Sequence, residues 1–253
     1  MSGALIQYVL KAALRDKLMV VMLLLIIVTT SMSIFMASSA ITEQDQFLAV
    51  YAAGSLRILS ILGLVVFTAF FVRRSFDAKD VEFLLSRPVS RMNFVLSYAA
   101  GFTILALLTV TACSLALFVL SPSLFSQSFM LWCTSVMIEA IIMVNITFFF
   151  SMIISSATSS VLAVLAFYVL ARMMGQILGI LDGTSGGNII EGVEITMNMV
   201  SALTPRLDLM GQTSWLIYGV GETINFSFVM IQGTIFVALV LIAGLIDMVL
   251  RQF

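Results

Sequence analysis

Six long apolar runs decide what this chain can fold into. The hydrocarbon core of a membrane is about 30 Å thick, and a helix needs roughly 20 consecutive apolar residues to cross it. None of the runs alternates apolar with polar residues, as the strands of a membrane β-barrel do. They therefore predict an all-α, multi-pass membrane protein with six transmembrane helices. The predicted spans are residues 18–40, 55–72, 94–120, 129–150, 161–181 and 226–250.

The composition excludes a water-soluble fold of the same length. Hydrophobic residues make up 61% of the 253 residues and charged residues only 10%, which leaves too little polar surface to cover a globule in water. The first run is longer than the apolar region of a cleaved secretory signal and follows basic residues, so we expect it to be retained as a span. We expect residues 1–253 to form a single transmembrane domain.

Basic residues predict the orientation, because Lys and Arg beside the spans stay on the cytoplasmic side. With both termini in the cytoplasm, the loops on the opposite side carry mostly acidic residues. The pattern predicts a protein of the inner (plasma) membrane with both termini cytoplasmic. The net charge of −1 gives no reason to expect a nucleic acid partner. Nine of the twelve basic residues then lie inside: Lys11, Arg15, Lys17, Arg73, Arg74, Lys79, Arg87, Arg91 and Arg251.

Residues 2–17 have the pattern of an amphipathic helix. Gln7, Lys11 and Arg15 project from one face, which suits the anionic lipid of an inner membrane surface. We therefore predict an interfacial helix before the first span; the alternative is that these residues extend that span. The apolar face consists of Leu5, Ile6, Val9, Leu10, Ala13 and Leu14.

The loop at residues 73–92 is the one long charged segment of the chain. It contains an apolar stripe at helical spacing, which predicts a short amphipathic helix that packs on another protein surface. Pro88 disfavours helix at Arg87, so we expect residues 86–91 to form a turn into the third span. The stripe consists of Val81, Leu84, Leu85, Pro88 and Val89.

A resemblance to a known family starts in this loop. The ten residues 82–91 read EFLLSRPVSR, and Phe94 and the small residues 99–101 follow them. This stretch resembles the cytoplasmic loop of exporter-type ATP-binding-cassette (ABC) transporter permeases, and its LLSRPVSR portion is the most specific part. The resemblance covers most of the chain, since it extends to residues 14–17 and to the six-span plan with a longer outer segment before the last span.

The resemblance implies a permease that exports a substrate and is driven by separate cytoplasmic ABC ATPase subunits. It also implies a homodimer or a pair of permease chains, embedded in membrane lipid. Residues 2–17 would be its elbow helix and residues 76–89 its coupling helix. The implied ATPase-coupling interface contains Phe76, Val81, Glu82, Leu84, Leu85, Arg87, Pro88 and Arg91.

The chain lacks the glycine-rich loop G-x-x-x-x-G-K-[ST] that cradles nucleotide phosphates, since no lysine follows a glycine. We therefore expect no enzyme activity and no cofactor in this chain, with ATP and Mg²⁺ on the partner subunit. The alternatives are an ATP-independent secondary carrier or channel and a membrane scaffold of an assembly pathway. The spans show no dense polar lining, which favours a lipid-like or amphipathic cargo.

Two ionisable residues lie in the middle of the predicted spans. Glu139 is eleven residues into the fourth span and Arg172 is twelve residues into the fifth, so their depths match. An isolated charge at this depth costs about 3 kcal/mol, so each needs a partner or water. A direct ion pair with a hydrogen bond from Asn145, a substrate pathway and a dimer contact are the three interpretations. Arg57, near the outer end of the second span, is expected to extend to the headgroups.

Small residues in the spans indicate close packing of helices. Gly175 and Gly179 form a G-x-x-x-G pair in the fifth span, which permits close helix approach. Cys113 and Cys133 fall inside spans and are expected to be buried packing residues. The chain contains no histidine, so imidazole ligands are excluded and we predict no metal site.

The outer segment, residues 182–225, is predicted to contain short interfacial helices. Trp215 and Tyr218 suit the headgroup region as aromatic anchors. Members of the family it resembles often have short helices here that dip into the outer leaflet. We therefore predict a gate at this segment, with a passive cover as the alternative.

Overall fold

The computed structural model describes residues 2–39, 43–78, 90–183, 196–197, 199–221 and 226–250. All regular structure in these residues is helical. Two 3₁₀ turns, Pro122–Leu124 and Leu207–Leu209, accompany the α-helices, and residues 196–197 and 199–203 are helical as well. The helices labelled here are α1 (Gly3–Arg15), α2 (Leu18–Ser38), α3 (Gln44–Asp77), α4 (Arg91–Leu120), α5 (Gln127–Ile153), α6 (Ala157–Gly183), α7 (Trp215–Tyr218) and α8 (Phe226–Leu250).

Six of these helices, α2 to α6 and α8, are long and apolar enough to cross a membrane. The prediction of an all-α protein with six such helices is therefore confirmed. The bounds of α8 agree with the predicted sixth span, and α2 begins at the predicted residue. The largest difference is α3, which begins at Gln44, eleven residues before the predicted second span.

Hydroxyl side chains determine where two spans begin. Ser90 accepts a hydrogen bond from the Asn93 amide at 3.2 Å and so caps the first turn of α4. Ser126 does the same for the Phe129 amide at 3.3 Å, and α5 follows it. Both caps lie a few residues before the first predicted apolar residue, because hydropathy alone does not register the polar first turn of a helix.

The central helix of the bundle is α5, which packs against α3, α4, α6 and α8. Of its most apolar stretch, 67% of the residues are buried, whereas the figure for α2, α6 and α8 is 22%. These three helices therefore form the periphery of the chain. Consecutive spans alternate in direction, so the start of α2, the end of α3, the start of α4 and the end of α8 meet at one end, here called the basic end.

At the basic end, α1 lies against the first half of α4. Val9 is fully buried and fills the space above Gly101, where an added Cβ would lie 2.9 Å from the Val9 Cβ. The Ser2 amide donates to the Ser97 Oγ at 2.8 Å. The predicted N-terminal helix is therefore present as a helix, and its apolar face is packed on the bundle except at Leu14, which is exposed. Lys17, in the left-handed conformation with φ 58°, makes the turn from α1 into α2.

A cluster of aromatic rings supports this contact. Tyr98 is 1% exposed, and its ring centroid lies 4.3 Å from that of Phe94 and 6.4 Å from that of Tyr8. Ring pairs at these separations stabilise beyond their buried area. The cluster joins α1, α3, α4 and α5 and comprises Tyr8, Phe71, Phe94, Tyr98, Phe102 and Phe148.

The opposite end of the bundle, here called the distal end, holds a segment that is mostly not helical. We call residues 205–218 the distal segment; it contains the 3₁₀ turn Leu207–Leu209 and ends with α7. Leu207 and Met210 are at most 1% exposed, so the segment lies inside the bundle and not on its surface. The prediction that Trp215 anchors the headgroup region is wrong, because its ring is buried at 2% exposure; Tyr218 is exposed.

Candidate functional site

Three charged side chains meet at the distal half of the bundle. Glu139 on α5 is completely buried, and its Oε1 lies 3.5 Å from the Nη1 of Arg172 on α6. Its Oε2 lies 3.9 Å from the Nε of Arg57 on α3. The structure thus brings the two predicted residues together and adds a second arginine. We call Arg57, Glu139 and Arg172 the charged cluster.

The position of Arg57 corrects the prediction that this side chain extends to the headgroups. Arg57 is 8% exposed and points into the bundle. The cause is the early start of α3 at Gln44, which places Arg57 thirteen residues inside the helix instead of near its end. A guanidinium at that depth must find partners within the protein, because the hydrocarbon offers none.

The arginines find these partners in the backbone of the distal segment. Arg172 Nη1 donates to the Met210 carbonyl at 2.6 Å and also to the Leu207 carbonyl. Arg57 Nη1 donates to the carbonyl of Gly211. Non-helical backbone is tolerated at membrane depth only where protein groups satisfy it. The two arginines therefore hold the distal segment in the bundle through three carbonyl groups.

The electrostatics of the charged cluster explain why carbonyl groups are needed. Two guanidinium groups face one carboxylate, so the cluster contains one positive charge in excess. The partial negative charges of the three carbonyl oxygens offset that excess in a region of low dielectric constant. The Tyr168 hydroxyl, one turn before Arg172 on α6, is buried close to the Glu139 carboxylate and adds a further polar group.

Gly211 is the closest point between the distal segment and the charged cluster. Its φ of +56° lies in the left-handed region, which disfavours residues with a Cβ. An added Cβ would also lie 3.2 Å from Glu139 Oε2 and from Arg57 Cδ. The Gly211 amide donates to Ser135 Oγ at 2.8 Å, one turn before Glu139 on α5. Glycine is therefore the residue that permits this backbone to reach the cluster.

Asn145 does not add a hydrogen bond to the ion pair, which corrects that part of the prediction. Its Nδ2 donates to the Ile141 carbonyl at 2.8 Å and to Thr103 Oγ1 at 3.3 Å. Six residues separate it from Glu139, and this spacing places the two side chains on different faces of α5. Asn145 instead joins α5 to α4.

The surroundings of the glycine pair of α6 also differ from the predicted helix contact. A Cβ on Gly175 would collide with the carboxylate of Asp208 in the distal segment, and it would lie 3.4 Å from the Nη2 of Arg206. A Cβ on Gly179 would meet no described atom within 4 Å. Within the part of the chain that the structure describes, the pair therefore does not bring two helices together. Gly175 makes room for the distal segment.

A second ion pair stabilises the distal segment itself. Arg206 donates to both carboxylate oxygens of Asp208, at 2.9 Å and 2.8 Å, and this hydrogen bonding raises the pKa of Arg206 above its ordinary value. Gln232 on α8 accepts a hydrogen bond from the Arg206 amide at 3.4 Å and donates to the carbonyls of Ser201 and Thr204, just before the segment, both at 3.0 Å. The segment is thus held from α6 on one side and from α8 on the other.

The residues predicted for the coupling interface lie at the basic end. Phe76 is near the end of α3 and packs against the core there. Arg91 begins α4, and its Nη1 donates to the carbonyls of Met248 and Val249 at 3.1 Å each. These carbonyls belong to the last turn of α8, where a cation is favourable. Six predicted residues lie outside the described residues: Val81, Glu82, Leu84, Leu85, Arg87 and Pro88.

Sequence reasoning missed three parts of the site: the role of Arg57, the role of Gly211 and the carbonyl partners of both arginines. The sequence carries no clear signal for the first, because residues 44–54 mix polar and apolar side chains and the second apolar run begins only two residues before Arg57. Gly211 follows Leu209 and Met210 in a loop that has its own acid and base, which is consistent with a folded segment. The carbonyl partners have no sequence signal, because every residue has a carbonyl.

The arrangement is suited to holding the backbone of the distal segment in place. No cluster of three metal-ligating side chains occurs among the residues described. The hydrogen bonds that the cluster makes to the distal segment are all to backbone atoms. They therefore fix the position of the segment without depending on the identity of most of its side chains.

Comparison with known proteins gives no family for the chain. No protein-family model matches the sequence, and no curated protein matches it significantly.

Proposed function

We propose that this chain is the permease subunit of an ABC exporter in the inner membrane, working as a homodimer or with a second permease chain. A separate cytoplasmic ATPase would hydrolyse ATP, and this chain would supply the route. The observation that carries the proposal is the EFLLSRPVSR stretch in the connection between α3 and α4. The attachment of that connection on both sides supports it, because Arg74 contacts Asp16 at the end of α1 and Arg91 contacts α8.

The contacts of α8 support a path by which movement of the connection reaches the distal segment. Arg91 holds the last turn of α8, and Gln232 near its other end holds the backbone beside the distal segment. At 1.5 Å per residue, the sixteen residues from Gln232 to Met248 extend over about 24 Å. Gly233 allows α8 to lie against Met210, with 3.4 Å between an added Cβ and the Met210 Cε. Displacement of α8 would therefore act directly on Met210, whose carbonyl accepts a hydrogen bond from Arg172 of the charged cluster.

The distal segment would then serve as the gate of the route. Its backbone is bound by hydrogen bonds to two arginines, which form and break as directional contacts. ATPase closure would move the connection, shift α8 and release the segment, and cargo would leave through the space that opens. The apolar lining of the bundle favours a lipid-like or amphipathic cargo.

The first experiment tests the ATPase partner by co-purification. Leu84→Asp and Leu85→Asp place a charge on the predicted apolar stripe, so each should remove a bound ATPase that copurifies with the wild type. Ser86→Asp is the matched control, since it adds the same charge off the stripe and should retain the ATPase. Absence of any ATPase from the wild type, or equal retention in all variants, would contradict the proposal.

The second experiment tests the α8 path. Tyr218 is 84% exposed at the distal end, so Tyr218→Cys provides a labelling site, while Cys113 and Cys133 are buried. We expect nucleotide to change the labelling rate of Tyr218→Cys in the complex with the ATPase. Adding Gln232→Leu, at the opposite end of α8 from the implied ATPase interface, should remove that change while the ATPase stays bound. An undiminished change in the Gln232→Leu background would show that the signal does not pass through this contact.

One observation favours the alternative of an ATP-independent carrier. Carriers often place non-helical backbone beside intramembrane charges, and the distal segment lies beside the charged cluster in this way. In that case Glu139 and Arg172 would couple transport to an ion. Purified chain in liposomes, without ATPase, would then dissipate an imposed proton or sodium gradient, and Glu139→Gln would stop it.

A further inference from the structure

An apolar groove runs between α2 and α3, starting at the basic end. Its volume is 340 Å³, and its walls are apolar except at Asp16. The lining of α2 from Leu18 to Leu25 rises about 11 Å at 1.5 Å per residue. One leaflet of a membrane is about 15 Å deep, half of the hydrocarbon core. The groove therefore follows the direction and most of the length of a lipid chain in one leaflet.

The groove is deep beside Gly63 on α3, because glycine has no side chain to fill it. A Cβ at this position would collide with the Met22 side chain, which lies over Gly63 as part of the groove wall. Val21 and Val66 line the two sides and are 50% and 42% exposed, so the groove is open to the bilayer along its length. A lipid chain can enter it from the side without any rearrangement of the helices.

The mouth of the groove carries an excess of positive charge. Asp16 lines it and contacts two cations, Arg74 and Arg15, the latter at 3.9 Å. Lys17 lies between the lining residues Asp16 and Leu18 and is exposed. Among the described residues at the mouth, three cations surround one carboxylate, which is an excess of two positive charges. Basic residues at a membrane surface attract anionic lipid, each by about 1 kcal/mol.

We propose that this groove binds one acyl chain of an anionic glycerophospholipid, whose phosphate lies against Arg15, Lys17 and Arg74. Charge decides between the possible occupants. A second copy of this chain would bring the same cations to the contact and be repelled, and a zwitterionic lipid carries no net negative charge. The bound lipid would fill the groove beside the turn from α1 into α2. This inference does not depend on the proposed transport function.

The experiment measures retained lipid by native mass spectrometry of the purified full chain. Delipidated protein is incubated with phosphatidylglycerol or with phosphatidylcholine of the same chain length. We expect at least one phosphatidylglycerol to stay bound at concentrations where phosphatidylcholine does not. Equal retention of the two lipids would overturn the proposal.

Charge variants locate the headgroup. Arg15→Gln and Lys17→Gln should each weaken phosphatidylglycerol binding about fivefold, as expected for the loss of one cation at the surface. Lys11→Gln is the matched control, because Lys11 is an exposed cation of α1 one turn before Arg15 that does not line the groove, and it should bind as the wild type does. Equal weakening in all three variants would show general attraction to the basic end and would overturn the site.

Two tryptophan variants locate the acyl chain. Val21→Trp fills the groove, whereas Val20→Trp adds the same ring at a neighbouring position that is 53% exposed and does not line it. We expect Val21→Trp alone to lose the lipid, with both variants unfolding at the same temperature. Glycerol 1-phosphate at equal concentration should not displace the lipid. Full displacement by it, or equal binding by the two variants, would overturn the acyl-chain assignment.

Discussion

The two ends of the bundle hold their non-spanning segments by different forces. At the basic end, α1 is held by buried apolar side chains and aromatic rings, as Val9 on Gly101 and Tyr8 on Tyr98 show. At the distal end, the distal segment also buries apolar side chains such as Leu207 and Met210, but it receives in addition hydrogen bonds from two buried arginines to its backbone carbonyls. Apolar contacts are many and individually weak, whereas the arginine contacts are few and charged.

The difference predicts how each end responds to change. Apolar packing is non-directional, so loss of contact area costs free energy in proportion. A charged cluster is cooperative, since removal of one member leaves the others buried without compensation. At the basic end, the free energy that holds α1 should therefore fall in steps as apolar contacts are removed. At the distal end, loss of one charged group should release the whole distal segment. Such cooperative release is the property a gate requires.

Glu139→Gln should have the largest effect, because it leaves two buried guanidinium groups without a counter-charge. Breaking a buried ion pair in this way costs about 3–5 kcal/mol. We expect a loss of that size in the free energy of unfolding, measured with denaturant in detergent. Protease sites in the distal segment should become accessible before the rest of the bundle unfolds.

The double variant Glu139→Gln, Arg172→Gln sharpens this result. It has the same net charge in the cluster as the wild type, so we expect it to be more stable than Glu139→Gln alone. The interaction energy between the two sites should be about 1–3 kcal/mol, as for other residues in one charged network. Additive losses would mean that the two groups do not stabilise each other, and that a pathway role explains them better.

Gly175→Ala should come second, since its Cβ collides with Asp208 and displaces the distal segment. Inserting a methyl group into a packed site costs about 1–3 kcal/mol. Gly179→Ala, one turn further along α6, is the matched control and should not lower stability, because alanine favours helix over glycine. Equal stability of the two variants would place the distal segment elsewhere than against α6.

Gly101→Ala tests the basic end. The added methyl group presses on Val9, and we expect a loss of about 1–2 kcal/mol as α1 moves outward. Adding Val9→Ala makes room again, so the double variant should recover most of that loss. Hydrogen exchange of the α1 amides measures the effect directly. Faster exchange in the distal segment of Gly101→Ala would contradict the separation of the two ends.

The sequence was sufficient for the helices and insufficient for the contacts of the distal segment. Long apolar runs at Leu18 and Phe226 predict spans because the bilayer imposes their length. Hydropathy did not predict the early start of α3, because residues 44–54 mix polar and apolar side chains. The Glu139–Arg172 proximity was within reach, since equal depth on consecutive spans suggests it. The hydrogen bonds from Arg172 to the carbonyls of Leu207 and Met210 could not be predicted, because a backbone carbonyl has no signature in the sequence.

The smallest expected effect belongs to Arg74→Gln, which removes the ion pair with Asp16 at the basic end. The Arg74 side chain is 58% exposed, so water already competes for both groups. Exposed pairs contribute about 0.2–1 kcal/mol, and salt screens them. We therefore expect a loss below 1 kcal/mol in the free energy of unfolding that vanishes in high salt, measured without anionic lipid. The loss from Glu139→Gln should persist in the same salt, because a buried cluster is screened far less. A salt-independent loss in Arg74→Gln would show that charged contacts, and not only apolar packing, hold α1 to the bundle.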